Sequence, residues 1–286
     1  MPKASASVDV VVVTFNPGHT ITDFLGSVPS AGAVASVTVV DNASSEDSPR
    51  LAATNAGAKF MQTGRNAGYG TAANVGAAAG SAPWVLISNA DIELAPGAID
   101  ALVAVGEGDP RIGSVGPLVR ELDGSVYPSA RPLPGIVLGG GHAALGRVWP
   151  SNPFSRRYLV TLDPAGGPVE AGWLSGSCLL VRREAWAKAG GFDEAFFMFF
   201  EDVDLGRRLG LAGYRNVWTP SAQVTHLGGH TWRSDPAPML AAHHASAARY
   251  LRLAYPHWWQ GVARWLGGVF LATRQRSETA AARRAP

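Results

Sequence analysis

Four short apolar runs, each stopping at polar residues, constrain the fold of this chain more than any other feature. Val8 to Phe15 is β-branched and apolar and stops at Asn16-Pro17. Val34 to Val40 stops at Asp41-Asn42, and Phe60 to Gln62 leads to Arg65-Asn66. Trp84 to Ser88, bounded by Pro83, stops at Asn89-Ala90-Asp91. Runs that are apolar throughout, rather than alternating, suit strands buried on both faces. Helical patterning fills the intervals. Thr20 caps a segment with Ile21, Phe24, Leu25 and Val28 inward; a second covers about Ser48 to Ala56; a third, Thr71 to Ala79, is narrow and alanine-rich. This alternation predicts an α/β fold with a doubly wound, mostly parallel twisted sheet flanked by helices. Ligands of such sheets bind beyond the carboxyl ends of the strands. Four polar strand ends then converge on one edge, although Asp91 taken alone reads first as a cap for the turn at Ala95-Pro96-Gly97.

The pattern continues with a helix from about Pro96 to Val105 and a strand at Ile112 to Leu118. Gly135 to Pro168 has little periodicity and is expected to be a functional lid or mobile. Gly172 to Arg182 reads as a strand and Arg183 to Ala189 as a short helix. The aromatic run Phe196 to Phe200 leads into a helix that begins at Glu201-Asp202-Val203-Asp204, and Tyr214 to Thr219 and Ala222 to Thr225 read as short strands before His226. From Pro238 the composition turns helical. The expected division is a domain at 1–235 and a helical, basic extension at 236–286.

Hydrophobic residues make up 47% of the 286 residues and charged residues 16%, so a sizeable core is expected. A net charge of only +2 argues against a nucleic-acid partner. That charge is uneven. From Arg249 onward there are seven arginines against the single acid Glu278, a local +6 that leaves −4 on the remainder. Val262, Trp265, Leu266, Val269 and Phe270 recur at helical spacing, with Gln260 and Arg264 on the other side. Such an amphipathic, Arg- and Trp-rich helix suits a bilayer interface; docking on the chain's own body or on a second copy in an oligomer is the alternative. No apolar run reaches the length of a membrane span. The lone Cys178 excludes an intrachain disulfide, fits a cytoplasmic setting and reads as a core residue.

Among candidate chemical groups, an Asp and a His suit a divalent cation, Mn²⁺ or Mg²⁺, whose other positions are filled by diphosphate oxygens and water. Asp91 and His226 fit that role, and a purely structural His226 is the competing reading. Glu201 and Asp202 sit where a helix dipole favours carboxylates, a field that also keeps a general base ionised. The chain has no Gly-x-Gly-x-x-Gly after its first strand, no Walker loop and no Gly-x-Ser-x-Gly elbow, which argues against dehydrogenase, kinase and hydrolase chemistry.

Several segments, in this order and spacing, resemble family 2 glycosyltransferases with the GT-A fold over about residues 8 to 235. They are Val12-Val13-Thr14-Phe15-Asn16, Val40-Asp41-Asn42-Ala43-Ser44, Asn66-Ala67-Gly68-Tyr69-Gly70, Asn89-Ala90-Asp91, Gly176-Ser177, Gly190-Gly191-Phe192-Asp193 and Phe200-Glu201-Asp202-Val203-Asp204. The resemblance implies that Thr14, Phe15, Asn16, Asp41 and Asn42 hold a nucleoside, and that Arg65, Asn66 and Gly68 line the nucleotide-sugar pocket. Asp91 matches the last Asp of the family's Asp-x-Asp metal motif, and Asn89 replaces the first. Asp202 matches the catalytic base and His226 the downstream metal ligand. Trp173, Gly176 and Glu201 are expected at the acceptor. The Asn-x-Asp form, Phe196 to Asp204 and His226-Leu227-Gly228-Gly229-His230 resemble the rhamnosyltransferase branch. That implies inverting transfer of L-rhamnose from dTDP-L-rhamnose to a polyprenyl-diphosphate-linked N-acetylglucosamine, in cell-wall arabinogalactan synthesis at the inner face of the membrane. Another donor, a binding module without transfer activity, and a sugar-phosphate nucleotidyltransferase are the rivals. The last lacks its basic phosphate loop, because Asn16-Pro17-Gly18-His19 has no Lys or Arg.

Overall fold

The computed structural model describes residues 7–146, 148–159, 162–228 and 236–282. Gly229, His230, residue 235 at the expected domain boundary, Arg283 and Arg284 lie outside the described residues.

Strands β1 (Val8–Thr14), β2 (Val34–Asp41), β3 (Lys59–Gln62) and β4 (Trp84–Asn89) run parallel in the order β3-β2-β1-β4. Helices α1 (Thr20–Ala31), α2 (Ser48–Asn55) and α3 (Tyr69–Ala78) connect them. Burial on both faces explains the unbroken apolar strands. Val8, Val10 and Val12 join a core with Phe24, Leu25 and Val28 of α1. Val11 and Val13 join an opposite core with Ala72, Ala73 and Ala77 of α3. Each such buried side chain contributes roughly 1.5–3 kcal/mol. The helix α3 starts at Tyr69, two residues before the expected Thr71, because Gly68 makes the turn with φ +91°.

Beyond β4 come β5 (Ile92–Leu94), α4 (Ala98–Glu107) and β6 (Ile112–Glu121), then the short strands β7 (Val126–Tyr127) and β8 (Ala130–Arg131). The expected irregular stretch from Gly135 to Pro168 contains two helices, α5 (Ile136–Leu145) and α6 (Pro153–Tyr158). Pro153 opens α6, and the Asn152 side chain caps it by accepting from the Ser155 N–H at 2.9 Å. The expected strand Gly172–Arg182 is two strands, β10 (Trp173–Leu174) and β11 (Cys178–Arg182), and β9 (Val169–Ala171) precedes it. It breaks because β10 leaves the main sheet to pair with β8. The strand β11 is inserted antiparallel between β4 and β6.

Helices α7 (Arg183–Ala189) and α8 (Glu201–Leu211) precede β12 (Arg215–His226). That one strand replaces the two expected at Tyr214–Thr219 and Ala222–Thr225, with a register jump between Thr219 and Gln223. It runs parallel to β6 and antiparallel to β5.

The helix Pro236–Ala254 packs on this body. Tyr250 is buried, Ser246 Oγ donates to the Met198 carbonyl at 2.8 Å, and Arg249 pairs with Asp193 at 2.6 Å. The last helix, Gly261–Ala282, rests on it through Gly267, where a Cβ would meet Leu251, while Val262, Trp265 and Leu266 stay exposed. Among the described residues no helix is long and apolar enough to cross a membrane.

Candidate active site

One cleft of about 600 Å³ opens along the carboxyl ends of β1, β2 and β4. Its first wall is made by strand ends and the loops after them. Asp41 ends β2 and is buried; it accepts from the Thr14 hydroxyl at 3.1 Å and the Ser44 N–H at 3.1 Å. The next residue, Asn42, links loops: its amide donates to Asn66 Oδ1 at 2.9 Å, and its Oδ1 accepts from the Ala67 N–H at 2.9 Å. Asn16 Oδ1 accepts from the Ser45 N–H at 2.8 Å. Asn16 and Ala43 both have left-handed backbone, φ 49° and 64°. Side chains rarely adopt that region, and such residues gather at ligand sites.

Strand register creates the next feature. The antiparallel pairing of β12 on β5 sets His226 opposite Ile92, and the Leu227 N–H donates to the Asp91 carbonyl at 2.8 Å. Two residues 135 positions apart thereby meet, with His226 Nε2 3.2 Å from Asp91 Oδ2. Glu121 lies 3.5 Å from His226 Nδ1 and orients the ring from behind. The Asp91 contact holds the imidazole above its ordinary range against the effect of burial. Asp91 Oδ1 is buried and has no hydrogen-bond partner. An orphaned carboxylate oxygen beside an imidazole fits a hard divalent cation that takes its remaining ligands from a diphosphate. Among the described residues no third carboxylate, His or Cys completes a protein-only metal cage.

The opposite wall is built differently. Strand β8 pairs with β10, setting Arg131 opposite Trp173. The Arg131 guanidinium lies over the rings of Trp173, Tyr127 and Tyr158 at 5.6, 5.8 and 5.8 Å. After β10, the Gly176 N–H donates to Asp202 Oδ2 at 3.0 Å, and the Gly176 carbonyl accepts from the Tyr69 hydroxyl at 2.6 Å. Phe199 and Phe200, just before α8, both have left-handed backbone, φ 67° and 64°. That kink delivers Glu201 and Asp202 into the cleft on the first turn of α8.

Both carboxyls are pushed above their ordinary range, chiefly by burial. For Glu201 the neighbouring Asp202 charge adds to the shift; for Asp202 the Gly176 and Val203 N–H groups and the Arg131 charge oppose it. The helix-terminal field expected to keep Asp202 ionised is therefore outweighed by desolvation. Glu201 is the more enclosed, and its Oε2 has no partner.

Of the expected site residues, Thr14, Phe15, Asn16, Asn42, Asn66, Asn89, Asp91 and His226 line one side of this cleft. Trp173, Gly176, Glu201 and Asp202 line the other. Asp41, Arg65 and Gly68 do not line it. Asp41 supports Thr14 from behind, Arg65 is exposed, and Gly68 carries the loop: its carbonyl accepts from Asn42 Nδ2, and the next N–H donates to Phe197 O at 3.0 Å. Tyr69, Tyr127, Arg131, Tyr158, Phe199, Phe200 and His243 line the cleft without having been expected there. Tyr69 and Phe200 stand in segments that carry the family resemblance, and Phe199 and Phe200 in the aromatic run Phe196 to Phe200; the others gave no signal.

Residues 9–186 match the family model described as Glycosyl transferase family 2, and residues 164–284 match Glycosyl transferase family group 2. The chain is 46% identical to N-acetylglucosaminyl-diphospho-decaprenol L-rhamnosyltransferase of Mycobacterium tuberculosis (strain ATCC 25618 / H37Rv) over 279 residues, 93% of this chain and 90% of that protein. It is 39% identical to Rhamnosyltransferase WbbL of Escherichia coli (strain K12) over 79 residues, 28% of this chain and 30% of that protein. Among solved structures it is similar to the mannosyltransferase PcManGT from Pyrobaculum calidifontis in complex with GDP-Man and Mn²⁺, with TM-score 0.58 and 21% identity, covering 98% of this chain and 77% of that one. It is also similar to GalNAc-T7 with UDP, GalNAc and Mn²⁺, with TM-score 0.61 and 18% identity over 88% of this chain, which spans about half of that protein (52%).

Proposed function

The chain belongs to glycosyl transferase family 2, and on that premise we propose that it moves L-rhamnose from dTDP-L-rhamnose onto a polyprenyl-diphosphate-linked N-acetylglucosamine, with inversion. The observation that carries the transfer chemistry is the opening of the Asp91–His226 pair and of Asp202 onto one cleft. The sugar and the acceptor rest on the printed name of the relative at 46% identity. The nucleotide lies against Thr14, Asn16, Asn42 and Asn66. Asp91 and His226 would hold a divalent cation, Mn²⁺ or Mg²⁺, which would supply charge neutralisation for a departing diphosphate.

Asp202 accepts the proton of an acceptor sugar hydroxyl while that oxygen attacks the anomeric carbon. The bond from that carbon to the nucleotide diphosphate breaks on the opposite face, so the configuration inverts. Raised basicity suits the role, because a general base works best near the operating pH. The Gly176 N–H fixes the carboxylate, and Trp173 and Glu201 contact the acceptor.

Residues 1–235 form the catalytic domain in this reading, and 236–286 form a basic extension that rests at the cytoplasmic face of the membrane. Trp258 and Trp259, in the turn before the last helix, and Val262, Trp265 and Leu266 on it expose apolar surface that supports such a seat. Flotation of the protein with anionic vesicles tests this, and protein left at the bottom of the gradient counts against it.

The central test is transfer by purified protein across a panel of nucleotide-sugars, with and without metal. Asp202→Asn should keep donor affinity and lose turnover by about 10²–10⁴-fold. If dTDP-L-rhamnose is inert while another donor works, the assigned sugar is wrong. Full turnover by Asp202→Asn would remove the base.

A further inference from the structure

We propose that Arg131 is the seat for the diphosphate of the lipid-linked acceptor. Among the described residues lining the cleft, Arg131 is the one arginine or lysine. Among the described residues, no carboxylate lies within ion-pairing distance of it. Its Nε donates to the Pro128 carbonyl at 2.9 Å, and its plane lies over the rings of Tyr127, Tyr158 and Trp173. Rings and a backbone carbonyl fix the side chain without neutralising its charge. A partly buried cation left in that state favours an anion, and a guanidinium edge matches phosphate oxygens two at a time.

The position separates this anion from the donor's. The donor diphosphate is assigned to the Asp91–His226 end, on the other wall. Arg131 instead stands opposite Trp173 across the β8–β10 pair, and its charge is felt at Asp202. Tyr158 is the last residue of α6, and the turn before that helix exposes Val148 and Trp149. The last helix reaches the same region, where Arg274 Nη1 donates to the Ala143 carbonyl at 2.6 Å. A lipid-linked sugar has three parts in fixed order, and the surfaces follow that order: Asp202 for the sugar, Arg131 for the diphosphate, and an exposed apolar face for the chain.

This inference rests on the lipid-diphosphate acceptor reading above, and its test separates the two. Full-length protein is assayed with donor on a short prenyl-diphosphate N-acetylglucosamine and on a neutral alkyl N-acetylglucosaminide. Wild type should prefer the diphosphate acceptor in kcat/KM, and Arg131→Gln should shrink that preference by about ten- to a hundredfold, the worth of a charge-assisted hydrogen bond. Arg131→Lys should recover part of it, as a point charge without the fork. Equal losses on both acceptors, a raised donor KM instead, or no change would each overturn the assignment. Should wild type use neither acceptor, the acceptor reading fails, and calorimetry with geranyl diphosphate then decides Arg131 by itself. About tenfold weaker binding by Arg131→Gln supports the seat, and equal binding overturns it.

Discussion

The two walls of the cleft are built on different principles. The wall with Thr14, Asn42, Asn89 and Asp91 is an edge of the main sheet, where each functional residue ends or follows a strand whose neighbours are buried on both faces. The wall with Arg131, Trp173, Gly176 and Asp202 rests on a two-residue strand pair, a left-handed kink at Phe199 and Phe200, and a few polar contacts. The difference suits a transferase. On the proposed reading, the nucleotide and diphosphate half asks for a fixed frame, and the half that would receive the acceptor takes its shape from side chains and loops, which can vary without disturbing the sheet.

If the strand-end wall is the metal and diphosphate wall, Asp91→Ala should produce the largest effect on that wall. It removes both carboxylate oxygens, including the buried one without a partner. The expected loss in kcat/KM is about 10²–10³-fold, as for a lost electrophilic contact of several kcal/mol. The gain in donor affinity on adding Mn²⁺ should vanish, while binding of an acceptor analogue stays within twofold or so of wild type. Donor binding that still responds fully to Mn²⁺ in Asp91→Ala would move the metal elsewhere. His226→Ala should show the same pattern in weaker form, since Asp91 remains.

The same contrast governs what the sequence made legible. The β1–β4 half could be read from runs such as Val8 to Phe15, because burial on both faces leaves an unbroken apolar signal. That signal carries no direction, so the reversed β11 was hidden inside a segment taken as one strand from Gly172 to Arg182. Strands of two residues have no period to detect, which is why β8 and Arg131, set among Pro128, Pro132 and Pro134, gave no sign. The meeting of Asp91 and His226 depends on the register of β12 against β5. The residues suggested the pair chemically and by family resemblance, but spacing did not. Nothing in the identity of Phe199 or Phe200 favours a positive φ, so the kink that aims Asp202 comes from tertiary packing alone.

The walls also meet at the Gly68 loop, and Gly68→Ala tests how tightly. Gly68 has φ +91°, and a Cβ there would run into the Phe197 carbonyl oxygen. Strain and displacement together should cost about 1–3 kcal/mol, read as a lower denaturant midpoint at unchanged slope. Asn42 Nδ2 donates to the Gly68 carbonyl from one wall, and the Tyr69 N–H donates to Phe197 from the other. Donor KM should therefore rise and kcat fall in the same variant. A rise in donor KM with kcat intact would mean that the walls are mechanically separate.

The last contrast lies within the second wall, where Glu201→Gln separates two adjacent carboxylates. Burial, and then the Asp202 charge, raise the Glu201 carboxyl above its unfolded value. Over the pH interval between those values the folded chain binds more protons than the unfolded one. The stability this proton contributes is complete below the ordinary glutamate range and is lost as pH rises through the folded value. Wild type should therefore lose stability with rising pH, with a slope from this group of at most about 1.4 kcal/mol per pH unit. Glutamine keeps the shape of the protonated acid and cannot ionise. Its advantage in Tm over wild type should be near zero at low pH, widen as pH rises from the ordinary glutamate range to about 8, and level off above that. Parallel Tm curves for the two proteins would mean that Glu201 does not hold its proton in the folded state. The extra charge on this wall would then have to sit beside Asp202 in the resting enzyme.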